Sequence, residues 1–227
     1  MSEPVAKGLT RQQMCDRLAI EFGDGWIVNL GVGIPTLCSN ADFGARRIIF
    51  HAENGVIGYG PLARPGEEDL HLVNAGAQHV TLQPGASIIH HVDSFALIRG
   101  GRIDVTVLGA YEVAANGDFA NWKMKGQKGG GIGGAMDLAV GAKRVFIAME
   151  HATRDGKPRL VRECSLPVTA KGVVKLVITN LGLFEPARDR LILREIAPGV
   201  SREEVAAQTG APLRFADPLP VVPVTRH

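Results

Sequence analysis

The residue best placed to do chemistry in this chain is a lone carboxylate, Glu53, in His51-Ala52-Glu53-Asn54-Gly55, directly after the apolar run Ile48-Ile49-Phe50. A β-branched and aromatic run of this kind reads as a buried strand. Asn54-Gly55 reads as a turn, since both residue types tolerate positive φ. Open α/β sheets carry their chemistry just beyond the carboxyl ends of strands, which is where this order puts Glu53. The following Val56-Ile57-Gly58-Tyr59-Gly60-Pro61 is apolar and glycine-punctuated, and is expected to set the acid in a cleft wall. The plain alternative is a loop glutamate that bonds its own turn.

Two further segments bear on that choice. Gly129-Gly130-Gly131-Ile132-Gly133-Gly134-Ala135-Met136-Asp137 is a glycine loop entering a helix. Its backbone N–H groups could hold an oxyanion forming on a reacting carbonyl, or the loop could simply be a flexible surface connection. Asn29 is polar inside the apolar Trp26–Leu30 run. A buried amide needs partners, so it either locks the adjoining glycine turn or reaches toward a ligand.

Other motifs are weaker. Gly31-Val32-Gly33 follows a strand, but a third glycine is missing and Pro35 intervenes, against a dinucleotide fingerprint. No phosphate-loop lysine follows a glycine run. His90 and His91 are adjacent, and on a strand they would point to opposite faces, one core and one surface. The seven histidines share no metal-ligand spacing, so no metal is expected. Cys15, Cys38 and Cys164 are odd in number and widely spaced, fitting reduced packing residues rather than a disulfide framework. Gly117-Asp118-Phe119-Ala120-Asn121-Trp122 reads as a turn closing on an aromatic anchor, in the core or at an interface.

The elements that must position these groups follow from pattern. Thr10 with Gln13 has the form of a capping box, and Met14, Leu18 and Phe22 define one face of a helix ending near Gly23. Strands are expected at 26–30, 47–51, 80–82, 88–90, 103–108, 145–149, 173–179 and 191–195. A short helix should start at Pro35, others cover 93–99 and 136–140, and Ser201 with Glu204 opens one that stops at Gly210. Pro212, Pro218, Pro220 and Pro223 predict an extended tail rather than a folded element. Strands alternating with short helices predict an α/β fold, an open, mostly parallel sheet with covering helices, with room for antiparallel strands in the second half.

Composition sets the outer bounds. The 227 residues suit one domain with a sizeable core. Glycine numbers 28, well above the usual ~7%, and it clusters in loops where backbone must approach something. A formal charge of +2 with scattered lysine and arginine gives no nucleic-acid footprint. No run approaches the roughly 18 apolar residues of a membrane span, and Met1 to Lys7 lacks a signal pattern. The expected setting is the cytoplasm, without nucleic acid or membrane as a partner.

These residues carry a family resemblance. The chain resembles the B (beta) component of bacterial 3-oxoacid CoA-transferases of the 3-oxoadipate and succinyl-CoA:3-ketoacid type. The matching segments are Asn29-Leu30-Gly31-Val32-Gly33-Ile34-Pro35, Glu53-Asn54-Gly55, Gly60-Pro61, Asn74-Ala75-Gly76, Asp93-Ser94-Phe95, Arg99-Gly100-Gly101, Gly117-Asp118, Ala120-Asn121-Trp122, Gly133-Gly134-Ala135-Met136-Asp137-Leu138 and Met149-Glu150-His151. They run in order over nearly the whole chain. The resemblance implies the fold of the CoA-transferase superfamily, shared with sugar-phosphate isomerase-like domains. It implies one B-subunit domain over 1–211 and a tail over 212–227.

Glu53 is then implied as the covalent nucleophile, Gly134 as the glycine lining the acyl oxyanion, and Asn29 as an amide close to the glutamate. Gly31, Gly33, Asn54, Gly55, Gly76 and Gly133 are implied as substrate- or CoA-binding positions. Two departures are Ala52, where the family often has Ser or Thr, and Ala77, where it often has Lys. The implied reaction moves CoA from an acyl-CoA such as succinyl-CoA to a 3-oxoacid carboxylate through a thioester on Glu53. No cofactor is tightly bound, and coenzyme A enters as a thioester substrate. The implied partner is an A subunit, in a heterodimer or heterotetramer. The alternatives are a short-chain acyl-CoA transferase or hydrolase on the same fold, and a non-catalytic ligand-binding subunit.

Overall fold

Both capping boxes form as their spacing requires. Thr10 Oγ1 accepts from Gln13 N–H at 3.2 Å while Thr10 N–H donates to Gln13 Oε1 at 2.9 Å. Ser201 and Glu204 repeat the exchange at 3.2 and 3.0 Å. Each box satisfies two backbone N–H groups that the first turn would otherwise leave open. The structure is a computed structural model that describes residues 7–224. The readings placed on residues 1–6 and on the last three residues of the tail lie outside the described residues.

In chain order the elements are α1 (Arg11–Ala19), β1 (Ile27–Leu30), a 3-10 helix (Ile34–Asn40), β2 (Ile49–His51), β3 (Val56–Leu62), β4 (Val80–Ile88), α2 (His91–Arg99) and β5 (Val105–Leu108). Then come β6 (Glu112–Ala114), β7 (Phe119–Ala120), α3 (Ala135–Gly141), β8 (Val145–Ala148), β9 (Leu160–Val161), β10 (Val174–Thr179), β11 (Gly182–Pro186), β12 (Leu191–Ile196), α4 (Arg202–Gln208) and β13 (Leu213–Phe215). Ten strands make one sheet in the order β13-β12-β11-β10-β8-β5-β1-β2-β3-β4, and β7-β6-β9 form a small second sheet. The central run β10-β8-β5-β1-β2 is parallel. Antiparallel strands flank it on both sides, so the second-half expectation holds and the β2-β3-β4 meander is an addition.

Helices cover both faces. Met14, Leu18 and Phe22 bury against Val28, Phe50 and Val107 on one face. On the other, Ile98 of α2, Leu138 of α3 and Val205 of α4 pack with Ile103, Ile147 and Val177. The alternation of a strand then puts every second residue of β1, β2 and β5 on the α2 side. Among those residues are three polar ones, Asn29, His51 and Thr106, paired in register as Asn29↔His51 and Asn29↔Thr106.

Several expectations need correction. Val56 to Pro61 is not a free wall but strand β3, whose Tyr59 ring lies tilted against Phe50 with centroids 5.5 Å apart. The pieces expected at 80–82 and 88–90 are one strand, β4, which accommodates Pro84 because it is the sheet's edge. His90 instead caps α2, its ring accepting from Val92 N–H, and His91 is that helix's first residue. Both are exposed, so neither is a core histidine. The Pro-rich stretch is extended but not free of the fold: β13 pairs parallel with β12, and Val222 N–H donates to Ile196 O at 2.8 Å. The prolines fall around the paired residues, leaving the ladder intact. No helix of the described residues is long and apolar enough to cross a membrane.

Candidate active site

In this sheet β1 has β5 on one side and β2 on the other, so sheet-building reverses direction at β1. Crevices form outside the carboxyl ends of strands at such a reversal. A cavity of about 410 Å³ lies there, and its lining includes Gly31 after β1, Glu53 after β2, Gly109 after β5 and Met149 after β8. The glycine loop Gly131 to Gly134 closes it from the α3 side. The apolar wall is supplied by Val32, Ile34, Leu108 and Ile132, not by the β3 residues, whose side chains alternate toward the two sheet faces.

Glu53 and Gly134 are in direct contact. A Cβ added at Gly134 would sit 2.2 Å from Glu53 Oε2 and 3.1 Å from the Phe95 ring. Gly134 has φ −86° and ψ 1°, ordinary values for any residue, so glycine is needed here for space rather than for backbone freedom. Burial pushes the Glu53 carboxyl above its ordinary value; the Gly134 amide and the nearby His91 draw it back, and Asp137 adds to the rise. The loop itself is braced by Trp122, whose carbonyl accepts from Gly131 N–H at 3.0 Å. A Cβ at Gly130 would fall 2.8 Å from the Trp122 ring. Trp122 is therefore the anchor of the glycine loop.

Asn29, implied by the resemblance as an amide close to the glutamate, spends its side-chain hydrogen bonds within the sheet. Its amide nitrogen donates to the His51 carbonyl at 3.1 Å and to His51 Nδ1 at 3.1 Å, and its Oδ1 accepts from Thr106 Oγ1 at 3.0 Å. Both N–H groups are spent inside the sheet, leaving none for the Glu53 carboxylate. Because His51 Nδ1 accepts, its Nε2 carries the hydrogen and donates to Ser94 Oγ at 2.9 Å. The row Thr106–Asn29–His51–Ser94 thus ties β5, β1 and β2 to α2 beneath the turn that holds Glu53. All four side chains are buried.

The remaining candidates divide. Gly31 and Gly133 line the cavity with Glu53. Gly33 lines a neighbouring cavity of about 870 Å³. Asn54 is exposed and its amide donates to Val73 O at 2.8 Å. Gly55, at φ +115°, lets the β2–β3 turn close against the Ile89 carbonyl, 2.2 Å from where a Cβ would be. Gly76 N–H donates to Asn74 Oδ1 at 2.9 Å, which shapes the loop that brings Ala75 to the cavity. These three act on backbone geometry. The sequence did not single out His51, Ser94, Phe95, Glu150 or Arg159 as site residues, although all but Arg159 stand in the segments quoted above; for His51 alone the alternation from Phe50 was a usable signal. Among the described residues no cluster of His, Cys, Asp and Glu could hold a metal ion.

Two buried histidines contribute to the acid sensitivity of the fold. Burial depresses His51 from 6.5 to about 4. The same holds for His151, at about 4, which lies between Thr179 Oγ1 at 3.0 Å and Thr209 Oγ1 at 3.1 Å. A base with a lowered folded pKa binds fewer protons folded than unfolded between the two values. Stability is therefore complete above about pH 6.5 and declines as pH falls toward 4, by on the order of 3 kcal/mol per histidine. Urea unfolding between pH 4 and 7 checks this; a flat midpoint across that range contradicts it.

The coenzyme A transferase family matches residues 11–208, and the chain belongs to that family. It is 44% identical over 211 residues to the B component of the 3-oxoadipate CoA-transferase of Pseudomonas putida, covering 92% of this chain and 98% of that one. It is 45% identical over 201 residues to the B component of the succinyl-CoA:3-ketoacid coenzyme A transferase of Helicobacter pylori, covering 88% and 97%. The fold is shared with an acyl-CoA transferase of Escherichia coli O157:H7 in a thioester complex with CoA, at TM-score 0.74, 22% identity, and 98% of this chain against 44% of that longer one. It is shared also with glutaconate coenzyme A-transferase from Acidaminococcus fermentans, at TM-score 0.70, 18% identity and coverages of 97% and 91%. The fold is thus the α/β architecture of CoA-transferases.

Proposed function

We propose that this chain is the nucleophile-bearing B component of a 3-oxoacid CoA-transferase, working with an A subunit and moving CoA from succinyl-CoA to a 3-oxoacid. The observation that carries the reading is the contact of the Glu53 carboxylate with Gly134 in a cavity at the reversal point of the sheet. The matched B components support the assignment.

The chemistry starts with Glu53 ionised. Its carboxylate attacks the thioester carbonyl, the C–S bond breaks, and CoA leaves as thiolate from a mixed anhydride. The thiolate then attacks the glutamyl carbonyl of that anhydride, releasing the first acid as carboxylate and leaving CoA bound to Glu53 as a thioester. A second carboxylate reverses the two steps and departs as the new acyl-CoA. Covalent catalysis of this kind divides one difficult transfer into easier ones. Each tetrahedral species carries an oxyanion for which the Gly134 N–H is the donor at hand. The apolar lining keeps water from the anhydride and the thioester.

Weighing the Glu53 peptide after mixing the two subunits with an acyl-CoA tests the reading: a CoA-sized adduct is expected, and its absence during turnover overturns it. Dependence of acyl-CoA loss on added carboxylate separates transferase from hydrolase. The acid limb of kcat/KM is expected above the ordinary carboxylate value, with activity present above it and lost below, because burial raises the Glu53 carboxyl. A limb at or below the ordinary carboxylate value contradicts that assignment.

A further inference from the structure

Arg159 is the basic group in the Glu53 cavity, and the reaction above does not use it. It lines that cavity and also the neighbouring one. Its backbone is fixed at both ends, N–H to His151 O at 3.1 Å and C=O from Val113 N–H at 2.9 Å. Its side chain is not fixed in this way. Nε is buried with no hydrogen-bond partner, and among the described residues no carboxylate pairs with the guanidinium. Glu150 shares both cavity walls, but its Oε1 accepts from Arg11 Nε at 2.9 Å.

A desolvated guanidinium donor without an acceptor is costly to maintain unless something arrives to pair with it. The group that fits is planar and anionic, presenting two parallel oxygens to the fork. Glu53 lies in the same cavity, at the reacting end. When Glu53 is acylated its charge is gone, and the carboxylate left in the lining, Glu150, is engaged by Arg11 rather than by Arg159. We propose that Arg159 is a specificity residue that binds the non-reacting carboxylate of a dicarboxylic acid whose other end reacts at Glu53. This rests on the CoA-transferase reading of the site and names which acids the site prefers. A cavity of about 410 Å³ lies toward the lower end of the roughly 300–1,000 Å³ range of small-molecule sites, consistent with a short acid spanning the two residues.

The test uses the complex with its A subunit and two acceptors of equal chain length, succinate and butyrate. The ratio of their kcat/KM values is measured in the parent, in R159M and in R159K. The expected result is a fall of at least about tenfold in the succinate-to-butyrate ratio for R159M, with part of it restored in R159K. If R159M fails to assemble, R159K decides alone: an ammonium lacks the planar fork, so the ratio should still drop several-fold. An unchanged ratio overturns the proposal, as does a parent enzyme with no preference for succinate. A rise in KM for the CoA thioester with an unshifted ratio also overturns it, placing Arg159 on a CoA phosphate. Transfer to some acid with an unshifted ratio removes only the role of Arg159. A parent complex that transfers CoA to no acid removes the CoA-transferase reading and this inference together.

Discussion

Glu53→Gln is expected to lower CoA exchange in the reconstituted complex by at least ~10⁴-fold, the scale seen when a covalent nucleophile is removed. The amide keeps the size of the side chain and can still accept from the Gly134 N–H, so the cavity is retained. What it loses is the anionic oxygen that attacks the thioester in the proposed reaction. The adduct on the peptide carrying residue 53 should vanish in parallel. Glu53→Asp supplies a complementary reading: it keeps the charge but withdraws it by one methylene from Gly134, and a displacement near 1 Å is expected to cost ~10²-fold. Exchange at the parent rate in E53Q would refute the covalent route, whatever the stability of the variant.

The second large effect is expected from a single methyl group. Gly134→Ala should lower kcat by ~10²–10³-fold, the range associated with disturbing one oxyanion donor, while thermal stability changes little. The added Cβ would fall 2.2 Å from Glu53 Oε2, so the carboxylate must leave its place beside the amide. The backbone at φ −86° accepts alanine without strain, and Ala135 already begins α3. A control with the opposite logic is Gly55→Ala, where a Cβ would meet the Ile89 carbonyl at 2.2 Å and φ is +115°. That change should destabilise the β2–β3 turn itself. Unfolding curves beside steady-state rates separate the two, and a G134A enzyme with unaltered kcat would contradict the contact.

Much of this arrangement is legible because its signals are local. Ile48-Ile49-Phe50 announces a strand, and an acid just past a strand's end in an α/β pattern is already in the right place. Thr10 with Gln13 and Ser201 with Glu204 carry their own hydrogen-bond logic, and both boxes form. What local pattern does not supply is register. Asn29 stands out as an amide in an apolar strand, but its partners His51 and Thr106 are 22 and 77 residues away, and cross-strand pairing alone makes them neighbours. The turn-locking alternative is thus nearer than the ligand-facing one, though the lock joins strands rather than the glycine turn. Edge strand β4 reads as two pieces because Pro84-Gly85 looks like a break; at a sheet edge a missing N–H costs little. β11 escapes pattern for similar reasons, being short and ending in Pro186. Arg159 enters the cavity from outside the ten-stranded sheet, immediately before β9, and nothing in its neighbours marks it.

The lining of the Glu53 cavity is gathered from segments that lie as far apart as Gly31 and Arg159. In an unfolded chain the same side chain is one ordinary acid among many. In the proposed reaction, its capacity to capture an acyl group belongs to the assembled strand ends and to no stretch of chain alone. Labelling at this one position thus doubles as a gauge of native assembly: the label accumulates only in molecules whose central strands have found their order. Folding could then be followed by counting reacted molecules in place of a spectroscopic average.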